Sequence, residues 1–126
     1  MLVLEPIRGV RIVADPATVD TIRVLDGTVV LRLAPDDAFV LLEGPLESVD
    51  VDAIIVAESG FVGCWLTSEE VAFRLVPHIE WPLPDARPAL AQGLVAGVPA
   101  RLWLESSRAL LLCAAPYAHD LAERLA

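Results

Sequence analysis

No lysine and no asparagine occur anywhere in the 126 residues, and the lysine gap removes several kinds of chemistry. Without lysine the chain cannot form a Schiff base, hold pyridoxal phosphate covalently or supply the lysine of a phosphate-binding P-loop. All 9 basic residues are arginines placed singly, a usage that genomic base composition explains. Nucleic acid is not an expected partner, because phosphate contacts need clustered positive charge. Long apolar runs are missing too. The longest, residues 109–118, is about half of the roughly 20 residues a bilayer helix needs, so no membrane span is expected. No charged segment precedes an apolar one at the N-terminus, so no signal peptide is expected and the default location is cytoplasmic.

Catalytic patterns are equally scarce. There is no G-x-S-x-G elbow and no His-Glu-x-x-His. Cys64 and Cys113 lie in apolar strand patterns, where cysteine behaves as a small hydrophobe. With His78 and His119 they would make four zinc ligands, but no C-x-x-C or H-x-x-x-H spacing supports that, and they are assigned to packing. His119 and Asp120 fall on the solvent side of a helix. Asp36-Asp37 follows Pro35 as turn chemistry rather than as a general-base pair. Asp50 and Asp52 lack the glycine-centred loop and the later glutamate of a calcium site. No catalytic residue, cofactor site or metal site is expected.

What the chain has in excess is apolar surface and acid. Hydrophobic residues make up 56%, and 18 acidic against 9 basic residues give a net charge of -9. The length fits one domain, residues 1–126. The apolar excess in so small a domain is best explained by a protein partner.

The chain organises around residues 98–125. Val98, Ala100, Leu102 and Leu104 alternate with Pro99, Arg101, Trp103 and Glu105, the period of a half-buried strand. Residues 105–108 break the pattern, residues 108–114 return as an apolar strand, and Pro116 opens a helix whose inner face is Tyr117, Leu121, Ala122 and Leu125. Upstream, residues 1–8 suggest an edge strand or arm and residues 9–14 a strand. Asp15-Pro16 starts a helix of one or two turns. Asp26-Gly27 fits either a hairpin turn after residues 22–25 or the end of that helix. Residues 31–42 form a hairpin about Pro35-Asp36-Asp37. Residues 43–52 hold at most a short helix. Residues 53–57, AIIVA, have no polar face and are expected to be a strand covered on both sides. Ser59-Gly60 is expected to turn the chain into another strand, residues 61–66. Thr67-Ser-Glu-Glu70 is a capping box; Val71, Ala72, Leu75 and Val76 give the helix its packing face, and Pro77 stops it. Residues 79–91 cross irregularly past Trp81, Pro82, Pro84 and Pro88. This order predicts an α+β, ferredoxin-like fold with a mainly antiparallel sheet and two principal helices.

Three segments resemble, in order, the gamma subunit of heterotetrameric sarcosine oxidase: LRLAPDDAFVLL, the strand-turn-strand-helix of residues 54–76, and GVPARLWLESSRALLLCAAPYAHDLAERL. The likeness covers roughly residues 28–125. Pro35, Asp36 and Asp37 match the family's G-P-D-E-W hairpin; Val98, Pro99, Leu102 and Trp103 match its V-P-V-L-L-W strand; Pro116, Tyr117, Ala118 and Leu121 match its closing helix. These motifs specify fold more than function. The D-x-S turn of the family falls at Val56 and Glu58, its hairpin tryptophan near Ala38 or Phe39, and the N-terminal region is shorter, departures that suit a diverged paralogue. The resemblance implies a small subunit related to part of the folate-binding domain of the glycine-cleavage aminomethyltransferase. Such a subunit carries no cofactor and packs against a flavoprotein large subunit. The alternative is a free-standing folate-type binder using a cleft of Trp65, Glu58 and Arg74.

Tryptophan and arginine are enriched in interface cores. Trp65 is assigned to the domain core. Trp103 shares a partly polar strand side with Arg101, and Trp81 sits among prolines; these three are the candidate partner interface. The alternative, that both tryptophans fold onto the domain's own core, stays open. Without its partner the chain is expected to self-associate.

Overall fold

The computed structural model describes residues 2–24, 27–42 and 52–126. It comprises two compact units, one of Ile7–Ser59 and one of Met1–Pro6 with Gly60–Ala126. The sequence expectations for residues 43–51 and for the turn at Asp26 lie outside the described residues.

In the unit of residues 7–59, strands β1 (Glu5–Val13), β2 (Val29–Ala34) and β3 (Asp37–Leu41) lie in the order β2-β3-β1. The hairpin predicted about Pro35 is present, with Val30 opposite Val40 and Leu31 opposite Phe39. The register shifts between Arg32 and Ala34, a bulge. On the other side β3 pairs antiparallel with β1, Val10 opposite Val40 and Ile12 opposite Ala38. Ile12, Leu31, Phe39 and Val40 are fully buried. A four-residue helix, α1 (Pro16–Val19), follows Asp15, whose side chain makes no capping bond. Arg32 ties it down instead: Nη1 donates to Asp20 Oδ1 at 2.7 Å and Nε to the Pro35 carbonyl at 3.1 Å. Residues 22–24, the start of the segment for which a hairpin strand is one of the two alternatives, are not in a strand.

The larger unit holds β4 (Ile54–Thr67, from Gly60 on), β5 (Ala89–Val95), β6 (Val98–Leu104) and β7 (Arg108–Ala114), in the order β4-β7-β6-β5 and antiparallel at each pairing. Alternation on β6 is as expected, with Val98, Ala100, Leu102 and Leu104 buried against Leu111, Cys113, Val62 and Leu66 from the same sheet face. A helix packs there. Thr67 Oγ1 accepts from the Glu70 N–H and the Glu70 carboxylate accepts from the Thr67 N–H, both at 3.1 Å, completing the predicted capping box. From Ser68–Glu70 the chain widens into a π-helical stretch, Val71–Leu75, and tightens into a 3-10 turn, Val76–His78, that contains the expected stop at Pro77. We call this composite α2. The last helix, α3 (Ala118–Arg124), buries Leu121 and, just past its end, Leu125 in the same core. Tyr117, assigned to its inner face, is exposed.

Four sequence expectations change. Ser59-Gly60 does not turn the chain, since β4 is continuous through it. Residues 53–57 are not covered on both sides: Ile54, Ile55 and Val56 are exposed. Residues 89–91, assigned to the irregular crossing, open the strand β5 (Ala89–Val95), joined to β6 by a tight turn in which Ala96 and Gly97 have φ of 51° and 79°, the type I′ geometry that matches strand twist. Among the described residues the fold is mainly antiparallel, with the short helix α1 and the two longer helical segments α2 and α3, and its layout differs from ferredoxin. In that layout the strands joined through a helix are parallel; here three successive antiparallel pairings separate β4 from β5, so those two run antiparallel.

Candidate interaction surface

The register of the larger unit determines which side chains share the sheet face opposite α2. One row reads Trp65, Leu110, Trp103, Leu90 and the next Gly63, Leu112, Arg101, Gln92. Leu110 and Leu112 are fully buried, while Arg101 and Trp103 beside them are half-buried. Trp65, assigned from sequence to the core, is 36% exposed on this face.

The polar atoms of this face are tied to one another. The Arg108 guanidinium lies 3.8 Å from the centroid of the Trp65 ring, a close cation–π stack. Its Nε donates to Glu105 Oε1 at 2.8 Å, and the Trp103 indole N–H donates to Glu105 Oε2 at 2.9 Å. The bond from Arg108, reinforced by that from Trp103, holds the Glu105 carboxyl below its ordinary pKa. Arg101 donates to Gln92 Oε1 at 2.8 Å and lies 5.5 Å from the Phe61 ring centroid. The result is a pre-ordered layer of indole and guanidinium planes, which can meet a protein surface with little further loss of side-chain entropy.

Trp81 is not part of this layer. An ideal Cβ on Gly93 would lie 2.6 Å from the Trp81 ring, so the indole rests on the bare backbone of β5. Gly93 is opposite Ala100, and Ala100 is three residues from Trp103, which puts Trp81 on the core face and Trp103 on the other. The Trp81 N–H donates to the Leu94 carbonyl at 2.8 Å, and the ring packs against the core cluster. The structure thus brings Arg101 and Trp103 together and leaves Trp81 apart. Gly93→Ala should displace the indole and cost about 1–3 kcal/mol. In a Trp81→Ala background the same change should cost less than half as much in urea unfolding; equal costs would show that the ring is not what requires glycine.

Among the folate-type cleft residues, Trp65 and Arg74 are separated by the sheet, since α2 packs on the face opposite Trp65. Burial pushes the Cys64 thiol up to about 11, and Cys64 and Cys113 are both free. Among the described residues no group of three metal-ligating side chains comes together, and no helix is long and apolar enough to cross a membrane. His119 is exposed, 3.2 Å from Glu123 on its own helix.

Further apolar side chains stand in solvent: Phe73, 82% exposed, with Val76 one turn on, and Leu94 with Tyr117 around a depression of ≈ 400 Å³ that Arg101 also lines. Sequence reading missed Phe73. A π-helical widening moves later residues off the 3.6-residue period on which face assignment depends.

No protein-family model matches the sequence, and no curated protein matches it at a significant level. The fold is similar to a chain of the heterotetrameric sarcosine oxidase from Corynebacterium sp. U-96, solved in complex with pyrrole 2-carboxylate, with a TM-score of 0.72. The alignment covers 97% of this chain and 79% of that one at 16% sequence identity, a likeness of fold.

Proposed function

We propose that this chain is a non-catalytic, partner-binding subunit of the sarcosine oxidase gamma type, whose partner is a flavoprotein large subunit. The observation that carries the reading is the structural likeness over 97% of the chain to a component of a heterotetrameric enzyme. The layer of Trp103, Arg101, Trp65 and Arg108 is the proposed contact, and Trp81 contributes by supporting β5 from behind. No cofactor is assigned to this chain. A cytoplasmic location and descent from an aminomethyltransferase-like folate-binding domain belong to the same proposal.

Co-expression with the large subunit of such an oxidase is the test. A stoichiometric complex should elute with flavin absorbance, and Trp103→Ser should weaken it about tenfold or more. Separate elution of the two chains would overturn the reading. Alone, the chain is expected to self-associate in a sedimentation series, and Trp103→Ser to reduce that association. The folate-type alternative is disfavoured by the separation of Trp65 from Arg74. Tight stoichiometric binding of tetrahydrofolate in calorimetry would restore it.

A further inference from the structure

Two exposed apolar features of the larger unit lie on opposite faces of its sheet. On one face α2 buries Val71 and Leu75 in the core, and Phe73 between them stands 82% exposed. Toward the end of α2 its surroundings are basic, since Phe73, Arg74 and His78 line one hollow. On the other face Leu94 and Pro99, opposite each other, continue the row of Gln92 and Arg101 by two residues. With Ala114 and Tyr117 they wall the depression of ≈ 400 Å³, where Leu94 is 54% exposed and Tyr117 43%. Arg101, at the sheet side of the depression, donates to Gln92. Asp120 lies one turn on from Tyr117, in the first turn of α3, and His119 beside it is paired with Glu123. Among the described residues neither Arg74 nor Asp120 is in an ion pair.

Each feature supplies what the other lacks. The depression is at the small end of those that take small molecules, with room for one ring, and its walls are mostly apolar, so little in it would orient a polar ligand. A phenyl ring standing in water gains about 25 cal/mol for each Å² it buries. The two features cannot meet within one molecule, because the sheet lies between them. Nor can a two-fold pair satisfy both, since an isologous contact uses one patch on both chains and opposite faces are not one patch. We infer that the isolated chain associates head to tail, the Phe73 ring of one copy entering the depression between Leu94 and Tyr117 of the next, with Arg74 of the first beside Asp120 of the second, opposite charges that complement each other. Such a contact leaves an unused ring at one end of every pair and an unused depression at the other, so growth continues past two chains. The depression adjoins Arg101 on the face proposed to meet the large subunit, and that partner would cover it. This inference rests on the self-association expected of the chain without its partner and names the contact.

The test is sedimentation of the full chain up to about 1 mM, because a contact this small is weak. Salt of about 0.15 M limits repulsion between copies of net charge -9 to a range of about 8 Å. The average mass should climb past two chains as concentration rises. Phe73→Glu removes the ring and keeps the depression, and Leu94→Glu does the reverse. Both positions are exposed, so neither change should move the thermal midpoint, and each variant alone should associate at least about tenfold more weakly. Mixed in equal amounts, the two variants retain one intact contact between them and should form pairs that grow no further. A natural chain that stays monomeric or stops at the dimer overturns the inference, and so does a mixture no more associated than its components. None of these results touches the complex with the large subunit, so the partner-binding reading survives them. Growth past the dimer and capped pairs in the mixture, with no complex formed by the large subunit, would support the head-to-tail contact and remove the oxidase assignment.

Discussion

Leu111→Ala should lower the unfolding free energy by about 2–5 kcal/mol, a large part of the 5–15 kcal/mol typical of a domain. Leu111 is fully buried on the inner strand β7, opposite Cys64 on one side and Leu102 on the other, within the cluster that also takes in Leu75, Val95 and Leu121. Its neighbours on the sheet are fixed by hydrogen bonds and cannot close over the space left behind. The loss should appear as a lower urea midpoint at unchanged slope. Leu94→Ala, at an exposed position on the edge strand β5, should stay within about 0.5 kcal/mol. Similar losses at the two sites would contradict the packing described for the α2 face.

Gly9→Ala should cost about 3 kcal/mol, the upper end for overpacking. An ideal Cβ at Gly9 overlaps the Val40 carbonyl oxygen outright and lies 2.8 Å from Cε1 of Phe39. A ring can turn aside, but a carbonyl held in the β3 ladder cannot. Trimming the ring should therefore not help: Gly9→Ala in a Phe39→Leu background should lose nearly as much as in the natural chain, read by thermal unfolding. Gly93 is the opposite case, since its obstacle is a side chain and removing Trp81 should relieve the strain. A rescue at Gly9 would show that Phe39, not the backbone, dictates glycine there.

Elements announced by local chemistry were legible in the sequence. Thr67 and Glu70 bond each other's backbone as their spacing implies, Pro35-Asp36 closes the β2-β3 hairpin, and the alternation from Val98 to Leu104 assigns the buried side of β6. Features decided by distant partners were not. Ser59-Gly60 has the composition of a turn, yet pairing elsewhere carries β4 straight through it. AIIVA looks buried because it is apolar, but Ile54, Ile55 and Val56 are exposed, since apolar composition alone does not decide whether another layer covers a strand. The strand β5 was obscured by Gly93 and by a turn that needs alanine at positive φ, a conformation alanine rarely takes. For the surface, Arg101 and Trp103 were legible as one side of a strand. Nothing local marks Trp65 as exposed, because the arginine stacked on it lies on another strand. Gly93 was the available clue to Trp81, since glycine inside a strand often signals close approach by another group.

The order β4-β7-β6-β5 also has a bearing on synthesis. β5, β6 and β7 follow one another through tight connections, so each can pair soon after it is made, with little loop-closure entropy to overcome. β4 is different, for the strand that will cover its C-terminal half begins only at Arg108. At translation rates of about 5–20 residues per second, the interval between Thr67 and Arg108 lasts roughly 2–8 s. Throughout that interval the nascent β4 has no strand on its β7 side, and its aliphatic residues must be kept from water and from other chains by α2, by a chaperone or by a subunit already waiting.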